Sequence, residues 1–313
     1  MPKVLLKNKS GKIDVTQMVA DITWSGSESE IARKLELNFL YPLHDHYTPK
    51  IYPNIGDQMY LYDDNGNELF RGRVFYNERL SEQGTIQITC YDDAIRLTKS
   101  KGTYNFKGKT AEAITQIVCN DLGVEIGEVA QTGIPQKILY NSVGMYEIIQ
   151  KAYDGASKQN KKRYCIQMRE GKLCVDEIGK EILPNVISSD TNILESSYSE
   201  NAEEVINRVK IYDEKDKYIG VVENKELIEL VGVFQDVYTK EKDKQARTVA
   251  SNMIRGIEQS IEITTLGNTS YTSGKLVNIE DSANKQLGLY FIVEDSHTWS
   301  RGQYKTNINI RVV

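Results

Sequence analysis

Few residues have the type and spacing for chemistry. His44-Asp45-His46 sets two imidazoles at i and i+2, on one side of an extended chain, where they could share a metal ion. Two ligands do not make a closed site, no Cys or Glu spacing completes it, and Pro42 and Pro49 mark a loop, so the segment reads as solvated loop. His297 stands in a strand-like stretch before Trp299, with no evident Ser or Asp arrangement of the triad kind. Cys90, Cys119, Cys165 and Cys174 lack C-x-x-C spacing and read as reduced, buried thiols. Cys165 and Cys174 flank a turn at Glu170-Gly171; pairing 169 with 172 sets 165 opposite 176 and leaves the thiols diagonal, unsuited to a disulfide. Carboxylates are plentiful, but none forms a singled-out acid and base pair for glycan hydrolysis. Gly102-Thr-Tyr-Asn-Phe-Lys-Gly108-Lys-Thr110 carries the residue types of a phosphate loop without its spacing, and reads as a β-to-α loop ending in a helix cap. No catalytic, cofactor-binding or metal-ligating residue is therefore predicted, and no enzyme.

Composition narrows the remaining classes. With 313 residues, 40% apolar and 27% charged, the chain is long enough for two or three folded domains. The net charge is −5 and Lys and Arg are scattered, so the basic stripe of a tight nucleic-acid binder is missing. No stretch approaches the ~20 apolar residues of a membrane span, and the start, Met1-Pro-Lys-Val-Leu-Leu-Lys7, has only a short apolar run; the expected product is soluble and unexported.

The elements that would position any surface are mostly strands. Leu35, Leu37 and Phe39 alternate with Lys34, Glu36 and Asn38, as do Ile86, Ile88 and Cys90 with their neighbours, and Asp64-Asn65-Gly66-Asn67 separates two strand-like runs as a hairpin turn. Residues 1–101 thus read as a small antiparallel barrel or sandwich. From 102 to 181 the period changes. Ala113, Ile114, Ile117, Val118 and Leu122 share a helical face between Thr110 as cap and Gly123 as stop, and a second helix is expected over about Val143–Tyr153, capped by Asn141 or Ser142. A hairpin, Tyr164–Met168 with Leu173–Ile178, completes an α+β insert. Residues 182–313 return to β, with strands expected at Val205–Ile211, Tyr218–Val222 and Leu227–Val237, and with one amphipathic helix on Ala246, Val249, Ala250, Met253 and Ile254, capped by Thr239.

The two β segments repeat a pattern. Gly56, Gly72 and Gly84 are spaced by 16 and 12 residues, and Gly274, Gly288 and Gly302 by 14 and 14, each set punctuating three strands that close its segment. Candidate surface strands are the Asp21–Trp24 and Lys34–Phe39 pair in the first copy, with Lys34, Glu36 and Asn38 outward. In the second they are Val205–Ile211 and Tyr218–Val222, with Arg208 and Lys210 outward. Ile308 and Ile310 become assembly residues if the last strand lies at an exposed edge.

The blocks "VTQMVADITWSGSESEIARKLELNF", "GDQMYLYDDNGNELFRGRV", "KLCVDEIG" and "SGKLVNIEDSANKQLGLYFIVEDSHTWSRGQYKTNINIRV", in that order over nearly the whole chain, resemble the baseplate hub proteins of PBSX-like prophage tails, contractile phage tails and R-type bacteriocins. That resemblance implies a mainly β chain with two tail-tube-like domains flanking a small α+β domain. It also implies a homotrimer that presents six such domains as a pseudo-hexameric ring, adapting a six-fold tail tube to a three-fold spike. The implied partners are tube, spike and baseplate wedge proteins and the tape-measure protein, with DNA passing through a lumen without tight binding, no membrane insertion and no cofactor. The implied location is the bacterial cytoplasm during assembly and then the particle's baseplate. Nineteen tyrosines suit such interfaces, combining large buried area with a polar tip. A tail-associated peptidoglycan hydrolase or wall-binding module is the alternative.

Overall fold

The computed structural model describes residues 1–41, 47, 51–80, 84–179, 182–241 and 245–312. The His44-Asp45-His46 segment lies outside the described residues. Strands make up 54% and helices 17%, so the chain is mainly β, as expected. Residues 1–196 with 262–313 form one compact unit and residues 197–261 a second; both boundaries fall inside the expected 182–313 segment.

The chain opens with β1 (Lys3–Asn8), β2 (Gly11–Asp14), β3 (Val19–Ser27), β4 (Lys34–Leu40), β5 (Gln58–Tyr62), β6 (Glu68–Leu80) and β7 (Thr85–Tyr91). Their cause is alternation: Leu35, Leu37 and Phe39 are buried while Lys34, Glu36 and Asn38 stay half-exposed on the opposite face. The β5–β6 turn is closed by the Asp63 carboxylate, whose Oδ1 accepts from the N–H groups of Asn65 and Asn67, while Gly66 takes φ +85°. Val4, Leu6, Ile22, Trp24, Leu37, Phe39, Leu61, Ile86 and Ile88 fill the core beneath.

The insert runs α1 (Ile95–Lys99), β8 (Lys101–Lys109), α2 (Ala111–Leu122), β9 (Ile126–Val129), β10 (Gln136–Gly144), α3 (Met145–Asn160), β11 (Tyr164–Arg169) and β12 (Lys172–Glu177). Thr110 Oγ1 caps α2 by accepting from the Ala113 N–H at 3.4 Å, and Gly123 ends it at φ +63°. Helix α3 is longer than its periodicity suggested and starts on Gly144 with no side-chain cap, so neither Asn141 nor Ser142 caps it. The β11–β12 register pairs Arg169 with Lys172 and Cys165 with Asp176, and all four cysteines are free and buried. Ile114, Val118, Ile148, Ile149, Leu173 and Val175 meet in one apolar core.

Then follow β13 (Ile182–Ser188), β14 (Ile193–Asn201), β15 (Arg208–Tyr212), β16 (Tyr218–Glu223), α4 (Lys225–Val231), β17 (Gln235–Thr239), α5 (Ala246–Met253), β18 (Glu258–Leu266), β19 (Leu276–Asp281), β20 (Gln286–Ser300) and β21 (Gln303–Val312). The strand expected over Leu227–Val237 is instead α4 followed by β17. Asn224 Oδ1 accepts from the Leu227 N–H at 3.2 Å, and that cap converts an apolar run ambiguous in period into a helix of good helix formers. Thr239 ends β17 and is not a cap; α5 starts after Gln245 without a side-chain cap. In the second unit β15 sits between β16 and β17, and Val209, Ile211, Tyr238 and Ala250 form its core.

Thirteen strands join one sheet, in the order β14-β18-β21-β20-β3-β4-β7-β6-β5-β1-β2, with β19 bonded to β20 and β13 to β19.

Candidate functional site

The sheet contains the same strand path twice. Along the first segment the order is β3-β4-β7-β6-β5-β1; along the last it is β14-β18-β21-β20-β19-β13, which is the first path with each strand replaced by its counterpart in chain order. Local detail agrees. Gly56 N–H donates to Val74 O and Val74 N–H to Asp57 O, and Gly274 N–H donates to Ile292 O and Ile292 N–H to Lys275 O. Directly after each of these residues comes a bulge, between Val74 and Tyr76 in β6 and between Ile292 and Glu294 in β20. Gly56 and Gly274 are therefore equivalent. Gly72 is not equivalent to Gly288: it pairs with Met59 at a position Tyr290 fills opposite Val277, because a Cβ there would lie 2.3 Å from Tyr91 O. The outermost strands differ in direction. β1 runs antiparallel to β5, whereas β13 runs parallel to β19, the first segment alone having the extra hairpin strand β2.

The strands equivalent to β3 and β4 are thus β14 and β18. Arg208 and Lys210 instead lie on β15, in the separate three-stranded sheet, where Arg208 Nε donates to Glu223 at 2.5 Å. The assignment of Val205–Ile211 and Tyr218–Val222 to the repeated path is corrected accordingly. Ile308 and Ile310 also move: β21 runs between β20 and β18, and both side chains are buried, so they are core residues and not an edge.

Where the two paths meet, β20 pairs antiparallel with β3 from Glu294↔Ser27 to Ser300↔Asp21. Arg33, just before β4, reaches across this seam. Its Nη1 donates to Asp295 Oδ1 at 3.0 Å and its Nη2 to Asp295 Oδ2, and its guanidinium stacks 4.1 Å from the centre of the Trp24 ring. Gly26 lies directly opposite Asp295, and a Cβ on it would come within 2.4 Å of Arg33 Nη1, so the bidentate pair needs a glycine there. Ser273 N–H donates a further bond to Asp295 Oδ1 at 2.6 Å. His297 stacks at 4.7 Å on Trp24, with Nε2 at 3.2 Å from Asp295 Oδ2 and Nδ1 facing the hydroxyls of Tyr304 and Thr306 at 3.0 and 3.2 Å. The ring's hydrogen bonds are made at Nδ1, while Nε2 approaches the Asp295 carboxylate without hydrogen-bond alignment.

These groups are fully buried, and their ionisation follows. Burial alone would raise the Asp295 carboxyl, but the Arg33 charge, with the His297 ring close by and the hydrogen bonds of Arg33, holds it well below the usual carboxylate range. Burial pushes His297 below its ordinary value, against the opposing pull of Asp295. Asp92, whose oxygens accept from the Arg33 and Ala94 N–H groups, is pushed up to about 7 by burial, only partly offset by those bonds. The seam is a fixed internal ion pair. The sequence carried a signal for it: Asp295 and His297 occupy the inward positions of a strand whose other inward residues are apolar, and polar residues there require partners. His297 therefore does have an Asp partner, contrary to the sequence reading, in a structural arrangement with no nucleophile.

Lys34, Glu36 and Asn38 are brought together on the opposite, solvent-facing side. Direct cross-strand partners extend the row as Lys305, Thr298, Thr23, Glu36, Thr89 and Tyr76 across β21, β20, β3, β4, β7 and β6. The neighbouring row includes Asn307, Ser296, Ser25 and Lys34, beside a groove of about 320 Å³ that Glu262 and Glu294 also line. On this side Lys34 pairs with Glu36 at 3.1 Å, and Asn38, Asn307 and Asn309 donate to Asp21, Glu262 and Glu294. Among the described residues no cluster of His, Cys, Asp or Glu could hold a metal ion, and no helix is long and apolar enough to cross a membrane.

The model of the family described as YQBQ-like matches residues 22–311. The chain belongs to the YQBQ-like family. No curated protein matches the sequence. Among solved structures, this YQBQ-like chain is similar to the 43 kDa tail protein of prophage MuSo2 from Shewanella oneidensis, with TM-score 0.75, 15% identity and coverage of 99% of this chain and 98% of that one. It is similar to a tail protein from Neisseria meningitidis MC58, with TM-score 0.71, 12% identity and coverage of 99% and 96%. A prophage tail protein, gp18 from Listeria monocytogenes, matches at TM-score 0.55 and 11% identity over 98% and 94%. At these identities the likeness shows a shared fold.

Proposed function

We propose that this chain is a structural subunit of a phage or prophage tail, the hub that assembles as a homotrimer and presents six related β paths as a ring between a six-fold tube and a three-fold spike. The observation that carries the reading is the repeated strand path. One polypeptide holds two copies side by side through β20 and β3, so three polypeptides offer six quasi-equivalent units. The fold likeness to tail proteins supports it. In this reading the polar row through Lys34, Glu36 and Asn38 faces the lumen, and the net charge of −5 per chain disfavours adhesion of passing phosphate. The remaining proposed partners are tube, spike and wedge proteins and the tape-measure protein. The three-part division at 101 and 181 stands with this proposal, the α+β insert serving a neighbour in the baseplate.

Light scattering on the purified chain, with negative-stain microscopy, is the test. The expected result is a particle of three copies with six-fold-like projections; a monomer at every concentration overturns the proposal. Purified cell walls should keep their turbidity in its presence, and clearing would favour the hydrolase.

A further inference from the structure

The in-chain seam has a vacant counterpart. β20 is bonded to β21 along one side; on the other it serves β19 up to Phe291 and, past its bulge, β3 from Glu294 to Ser300. β6 is built the same way. It is bonded to β7 on one side and to β5 up to Arg73 on the other, and past its bulge the stretch Tyr76–Leu80 has no strand beside it among the described residues. The strand equivalent to β3 is β14, and β14 ends the sheet, with β18 its one neighbour there. Among the described residues each chain therefore carries one lane without a strand and one strand, unpaired on its outer side, of the kind that fills it.

We propose that β14 of one copy adds antiparallel to β6 of the next along Tyr76–Leu80, repeating between chains the junction that β3 and β20 make within one. This rests on the ring reading above and specifies its interface. The occupant is a second copy because the same fold already contains the bound form of this junction. An interface of β6 on one face with β14 on another is heterologous, so it propagates from copy to copy and closes where the rotation per copy does, after three in the ring reading.

The exposed side chains fit. Phe75 and Tyr76 are each 49% exposed in β6, and Leu194 is 47% and Tyr198 37% exposed in β14. Apolar side chains on an unpaired edge are an aggregation liability that pairing removes. Arg79 on β6 meets a strand carrying Glu195 and Glu200. Counted from the two bulges, Asn77 stands where Asp295 stands in β20, so the intermolecular junction lacks the buried carboxylate of the seam. It is a hydrogen-bonded, separable joint, as assembly from folded subunits requires.

The Gly267 N–H to Tyr304 O bond matches that of Tyr41 N–H to Gly84 O, which sets Glu262 where Glu36 stands. Taking Gln259 and Glu200, which share a hydrogen bond, as cross-strand partners sets Ser197 opposite Glu262. Leu80 then falls opposite Ser197 as Thr298 is opposite Thr23. The test is disulfide trapping in the full chain. Leu80→Cys with Ser197→Cys, mildly oxidised, should give two- and three-chain species on a non-reducing gel, while either single variant and the wild type give none. Thr23→Cys with Thr298→Cys is the control and should close within one chain, detected as loss of free thiol without a ladder. Particles of three copies with no ladder, while the control closes, overturn the seam and leave the ring reading standing. Absence of particles of three copies overturns the ring reading itself. Should Leu80→Cys fail to fold, Arg79→Pro is the second variant, because its N–H points into the lane as that of His297 points to β3: a retained folded monomer that no longer assembles supports the seam, and unchanged assembly overturns it.

Discussion

The two halves of the sheet share a strand path but differ in how they end. At β20 the lane past the bulge is filled by the chain's own β3 and locked by a buried Arg33–Asp295 pair under Trp24 and His297. At β6 no described strand fills the equivalent lane, Asn77, which donates to Pro53 O, stands in place of the carboxylate, and Phe75 and Tyr76 are half-exposed. The difference separates two uses of one geometry. Where the junction must hold the two halves of a chain together, charge is buried and every donor on Asp295 is supplied from within; where a neighbour must be able to arrive, no charge is stranded in the unpaired state.

Removing the lock should have the largest effect. Asp295→Ala leaves the Arg33 guanidinium buried without its counter-ion, which costs about 3–5 kcal/mol and is read as a drop in the urea midpoint. Ile308→Lys should be of similar size, about 3–5 kcal/mol, and should appear as loss of folding instead of loss of assembly, because β21 is interior and the site is fully buried. A folded, non-assembling Ile308→Lys would return that strand to an edge.

Gly26→Ala should cost about 1–3 kcal/mol by displacing Arg33, while Gly220→Ala, where a Cβ meets nothing and φ is not positive, should cost less. Acid sharpens the comparison further. His297 is held below its ordinary 6.5, so below that pH the unfolded chain takes a proton the folded chain refuses and stability falls. Asp92 acts in the opposite direction: its carboxyl, raised from 3.8 to about 7, binds a proton in the folded chain first, so its contribution is largest in acid and is lost as pH rises through 7. In thermal melts between pH 4 and 7.5, His297→Gln should flatten the acid-side loss and Asp92→Asn should deepen it. The smallest effect belongs to the open lane. Glu78→Ala should change monomer stability by less than about 0.5 kcal/mol, the range expected of exposed positions.

Much of this architecture is written locally. The alternation through Lys34–Phe39 set both the buried and the polar face of β4, Thr110 and Gly123 bounded α2, Glu170-Gly171 set the β11–β12 register, and Gly56 with Gly274 marked equivalent points of the repeat. These are near-neighbour effects, governed by backbone conformation and by which side of a strand a residue occupies. Leu227–Val237 failed for the same reason: period alone does not separate a short apolar helix from a strand, and the Asn224 cap decided it.

The amino-acid order by itself thus determined the strands, the faces they bury and the fact that a pattern recurs. Only the tertiary structure decided which lanes adjoin: that Arg33 meets Asp295 across 262 positions of chain, that β21 lies inside the sheet, and that β15 stands apart from the repeated path. Pairing between distant strands depends on loop closure and on the burial of both faces at once, quantities that belong to the assembled sheet and to no single segment.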